Sequence, residues 1–163
     1  MNQKNDREWP AESTEDRGER GLNLIEVVVA LALLAAVLLS ISGMFIQGSQ
    51  SVDTGRLLTE ATSLGNDILE EMDKWGYTQI YTNFGKASTD GAFSVDTKTN
   101  TFAQRWQAGI DQHLPNMSAK ATIAVTPMNG STFGAASGIR IQVTVDWSRE
   151  LHARNVTVET VRF

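Results

Sequence analysis

The chain has 163 residues, room for one modest domain and an appendage, with 41% apolar residues, 20% charged residues and a net charge of −5. No Lys/Arg cluster interrupts that acidic balance, which disfavours nucleic acid as a partner. Cysteine is absent, which excludes disulfides, thiolate metal sites and a cysteine nucleophile.

Residues 1–21 form a polar leader with four basic and six acidic side chains. Arg17 and Arg20 stand just before an apolar segment, as the positive-inside rule expects of a cytoplasmic flank. Val27 to Ile46 is then a run of 20 residues without a charge. As a helix it is about 30 Å long, the thickness of a bilayer's hydrocarbon core. Its polar members, Ser40 and Ser42, can return their hydroxyls to the helix's own carbonyls. A soluble domain of this size rarely needs a helix apolar on every face. A secretory signal has a shorter apolar core and ends in small residues. The segment is therefore expected to be a retained membrane helix.

Glu26 sits at the lip of that helix. A carboxylate inside a membrane is costly and marks a function or a partner. Alone, it reads equally well as an interfacial anion favoured by the helix N-terminus.

The stretch Arg20-Gly21-Leu22-Asn23-Leu24-Ile25-Glu26-Val27-Val28-Val29-Ala30-Leu31 resembles the class III signal of type IV pilins and type II secretion pseudopilins. The resemblance implies cleavage by a prepilin peptidase between Gly21 and Leu22 and N-methylation of Leu22. Glu26 becomes the fifth residue of the mature chain, where it is expected to pair with the N-terminal ammonium of a neighbouring subunit during assembly. A glycine before the cut has no side chain to keep the protease from the scissile carbonyl. Major pilins usually begin Phe-Thr, carry proline at the twenty-second mature position and close a C-terminal disulfide loop. Here Leu22, Asn23 and Gly43 stand at those positions and there is no cysteine, which points to a minor pilin or pseudopilin.

Gln47–Trp75 reads as a helix continuing the membrane one. Leu57, Ala61, Leu64, Ile68, Met72 and Trp75 recur every three or four residues, and Gly76 is the expected stop. The acidic residues Asp67, Glu70, Glu71 and Asp73 read as a solvated face rather than a metal site. Residues 76–118 form a variable connection rich in turn residues, with short strands expected near Ala92–Val95 and Thr101–Trp106. From residue 119 to 163 the pattern is strand-like. Ala119, Ala121, Ile123 and Val125 alternate with polar residues, as do Ile139, Ile141, Val143, Val145 and Trp147. Val156 and Val158 alternate as well, before the phase is expected to shift to Val161 and Phe163. The last two strands resemble the closing hairpin of PilV-type minor pilins and of the I and J pseudopilins.

His113 and His152 stand alone, and no phosphate loop, nucleophile elbow or HExxH pattern occurs. Trp75, Trp106 and Trp147 read as core residues rather than ligand platforms. The expectation is an α+β pilin-type fold, a long N-terminal helix on a C-terminal antiparallel sheet, with no enzyme activity, cofactor or metal. By resemblance the chain is a minor type IV pilin, anchored in a bacterial inner membrane with a cytoplasmic N-terminus and then moved into a fibre. Its partners would be other pilins, the prepilin peptidase, the inner-membrane assembly platform and lipid. A minor pseudopilin of type II secretion is the alternative. A bitopic membrane-anchored binding or adhesion protein is the reading from another class.

Overall fold

The computed structural model describes residues 24–149 and 152–163. Helix α1 is continuous from Leu24 to Asp73, 50 residues. The chain divides into two compact units, Met1–Gln47 and Gly48–Phe163. In the first, the described residues are all helix and all exposed.

The second unit is built on the amphipathic part of α1. Ala61, Leu64, Gly65, Ile68, Leu69 and Met72 are its buried residues, spaced alternately by three and one so that they share one face. They pack on a four-stranded antiparallel sheet of order β1-β2-β3-β4, which makes the fold α+β as expected. The strands are β1 (Phe93–Asp96), β2 (Lys120–Met128), β3 (Gly138–Arg149) and β4 (His152–Arg162). Across β2 and β3, Ala121 faces Val145, Ile123 faces Val143 and Val125 faces Ile141, all fully buried. These cross-strand apolar pairs fix the register, because a slip by one residue would turn the whole set to water. Pro127 is tolerated in β2 because β1 begins opposite Val125 and runs away from it, leaving β3 as the only strand beside the proline among the described residues.

Three expectations are corrected. Thr101–Trp106 is not a strand: helix α3 occupies Gln104–His113, after a short helix α2 at Tyr77–Thr82. The side-chain carbonyl of Asn100 accepts from the N–H groups of Phe102 and Ala103 at 3.0 Å and so holds the turn that leads into α3, which itself has no side-chain cap. Trp106, Ile110 and Leu114 then follow at steps of four into the core. Second, α1 stops at Asp73, and Gly76 opens α2 instead, its N–H donating to the Gln79 side chain at 3.0 Å. Third, β4 keeps its phase. Val161 and Phe163 point to water, while Thr160 and Arg162 share the face of Val156 and Val158.

The reason for that last placement is visible at Arg162. Helix α1 has no basic residue in its last turn. Arg162 supplies one from β4: Nη1 donates to the carbonyls of Asp73 and Trp75 at 2.9 Å and of Met72 at 3.3 Å. A cation is thereby placed beside the carbonyls at the helix C-terminus, where the dipole favours it, sharing Met72 O with the Trp75 N–H, which donates to it at 3.1 Å. Arg162→Met is expected to lower unfolding stability by about 2 kcal/mol, since hydrogen bonds to a charged donor are worth more than neutral ones. Chemical denaturation of the detergent-solubilised chain measures this, and an unchanged midpoint would contradict the capping role.

Candidate functional site: the apolar half of α1

The site is the stretch of α1 that, among the described residues, no other element covers. From Leu24 through Ile46 the large apolar side chains lie open, with Leu24 at 81% and Phe45 at 79% exposure. A water-soluble protein does not leave so large an apolar surface without a partner. The helix is long and apolar enough to cross a membrane. The two serines behave as the sequence suggests. Ser40 Oγ donates to Ala36 O at 2.9 Å and Ser42 Oγ to Leu38 O at 2.8 Å, so neither hydroxyl needs water or a partner.

Glu26 lies in the first turn of α1. There the unpaired N–H groups and the helix dipole favour an anion. Among the described residues it has no ion-pair partner. Gly21 and Leu22, the expected cleavage and methylation positions, lie outside the described residues. Gly43 is helical with nothing within 4 Å of where a Cβ would be, and Gly48 and Gly55 are equally open. Each lowers helix propensity by about 1 kcal/mol relative to alanine.

The acidic residues farther along α1 do not converge. Glu71 accepts from Arg105 Nη1 at 2.9 Å and from Trp106 Nε1 at 2.6 Å, tying α3 to α1. Asp73 lies 3.7 Å from Arg162 Nε, while Asp67 and Glu70 are exposed. Among the described residues no three metal-ligating side chains gather. His113 ends α3, exposed.

Trp147 is core, 3% exposed. Trp75 and Trp106 are half-buried and pack against that core. With Phe102 they surround the Arg105 guanidinium, which sits 3.8 Å from the Phe102 ring centroid. The rings are thus filled from within the chain, and the sequence offers no spacing that would announce this cluster. Asp96 pairs with Lys120 at 2.7 Å. Burial opposes its charge, but the Lys120 ammonium and the Lys98 N–H outweigh burial and hold the carboxyl below its usual range. The pair bridges β1 and β2 on the sheet's outer face and is structural.

Comparison with protein-family models, with curated proteins and with solved structures finds no match to this chain.

Proposed function

We propose that this chain is a minor subunit of a type IV pilin-like fibre, held in the membrane by the apolar half of α1 and released into the fibre after its leader is removed. The observation that carries the reading is a single helix with two environments. Its first half is uncovered and apolar with a carboxylate in the first turn, and its second half is packed on an antiparallel sheet. Such a subunit needs lipid before assembly and the helices of its neighbours afterwards, and both are apolar surroundings for the same side chains. The Gly21-Leu22…Glu26 spacing adds the chemistry of entry: a side-chain-free cut site, a new ammonium and a carboxylate to meet it.

Gly21→Val tests the reading. In cells that make the peptidase and the fibre, the variant is expected to accumulate as uncut precursor and to vanish from sheared fibres, by immunoblot. An uncut variant that still enters the fibre would overturn the proposal.

A further inference from the structure

The sheet has two open edges, and they differ. β4 is an edge strand of 11 residues whose only strand neighbour among the described residues is β3. Its pairing with β3 runs without a bulge from Ile139–Arg162 to Arg149–His152. It contains no proline, and Ala153, Arg154, Asn155, Thr157 and Glu159 are exposed. Proteins usually shorten, bulge, break or cover such an edge, because its unpaired N–H and C=O groups invite another strand. At the other edge β1 is four residues long and pairs only with β2. Among the described residues, neither edge has a further backbone partner.

We infer that the β4 edge of one copy receives the β1 edge of the next, continuing the sheet from subunit to subunit. Direction is the first support. With four strands alternating, β1 and β4 run oppositely, so copies facing the same way meet antiparallel at this junction. That copies share one direction rests on the fibre reading above, since subunits anchored in one membrane point alike. A two-fold β4–β4 pairing needs opposed copies.

Register is the second support. Phe93 and Val95 face the core side of β1, and Val156 and Val158 are the half-buried apolar residues on the same side of β4. Sliding β1 along β4 with faces matched, one register sets apolar against apolar twice: Val95 opposite Val156 and Phe93 opposite Val158. It also sets Ser94 opposite Thr157 and Asp96 opposite Asn155. A shift of two residues toward the β4 N-terminus puts Val95 opposite Arg154, and a shift of two toward its C-terminus puts Phe93 opposite Thr160. A further shift puts Asp96 opposite Glu159, a like-charge pair. The valines of β4, already packed against the core from within the chain, thus gain an apolar cross-strand neighbour on their open side. Because the two surfaces differ, the contact is head-to-tail and open-ended, the symmetry of a filament rather than of a closed dimer.

The chain's lack of cysteine makes the test clean. In one copy Ser94 and Thr157 are three strand spacings apart, about 14 Å, too far for a disulfide within the chain. The full-length double variant Ser94→Cys/Thr157→Cys, in detergent under mild oxidant, is expected to give a ladder of dimers, trimers and higher species on a non-reducing gel. Each single variant is expected to stay largely monomeric. Both positions are exposed, and unchanged melting under reduction checks the fold. No ladder would overturn the inference. So would an equal ladder from the off-register pair Ser94→Cys/Ala153→Cys, or a dimer from Thr157→Cys alone, which signals the two-fold pairing. The N-terminus of the same sample, sequenced in parallel, reports on the fibre reading separately, so either can fail without the other.

Discussion

Glu26→Leu is expected to leave leader removal intact and to reduce incorporation into fibres at least tenfold. A membrane-embedded carboxylate costs up to about 3 kcal/mol at a helix centre and less near an end, so leucine makes the helix a better membrane span. Anchoring and cleavage should therefore survive the change. Assembly is different. The proposed cut leaves an ammonium on Leu22, and moving that charge among apolar helices without a counter-ion is unfavourable. In the proposed fibre, Glu26 of a neighbour is the counter-ion. A tenfold loss corresponds to about 1.4 kcal/mol, a modest demand on a charge pair shielded from water. Quantitative immunoblots of sheared fibre against membrane fractions measure the effect. Equal incorporation of Glu26→Leu and wild type would remove Glu26 from assembly.

Gly65→Leu is expected to be the most damaging single change in the folded unit. A Cβ at Gly65 would lie 2.7 Å from Val158 Cγ2 and 3.8 Å from Val145 Cγ2. The helix approaches β4 there more closely than any side chain allows. Leucine must push α1 off the sheet and so weaken the contacts of Leu64, Ile68 and Leu69 as well, an overpacking cost of about 3 kcal/mol. Gly65→Ala is milder, because alanine regains about 1 kcal/mol of helix propensity against a clash confined to one methyl group. Val158→Ala opens that space, so the pair Gly65→Leu/Val158→Ala should be less destabilised than the sum of its parts. Denaturation midpoints of the four proteins give the coupling. Strict additivity would mean that the close approach at Gly65 is not what positions the helix.

The sequence made the long helix legible because its two halves obey different simple rules, uniform apolarity before Ile46 and a three-four rhythm after Leu57. β2 and β3 were equally plain, since one face is core and the other solvent, and a period of two is the direct result. What escaped depended on tertiary partners. Gly65 carries no hydrophobic signal, yet it is buried because β4 comes so near. Arg162 looks like a surface charge until the end of α1 is placed beside it. The strand expected at Thr101–Trp106 failed for a legible reason. Phe102, Trp106, Ile110 and Leu114 repeat every four residues, and Asn100 holds the turn before them, but alternation over a shorter window hid the helix. For the candidate site, the apolar span and its self-satisfied serines were readable from residues alone. The role of Gly21, Leu22 and Glu26 came from a resemblance in spacing, and chemistry on the mature chain is what decides it.

The most direct measurement is mass spectrometry of the N-terminal peptide of the mature chain, taken from cells that contain the processing enzyme. The expected chain begins at N-methyl-Leu22, with residues 1–21 gone. A mature chain that retains Met1, or one cut at another position, would contradict it.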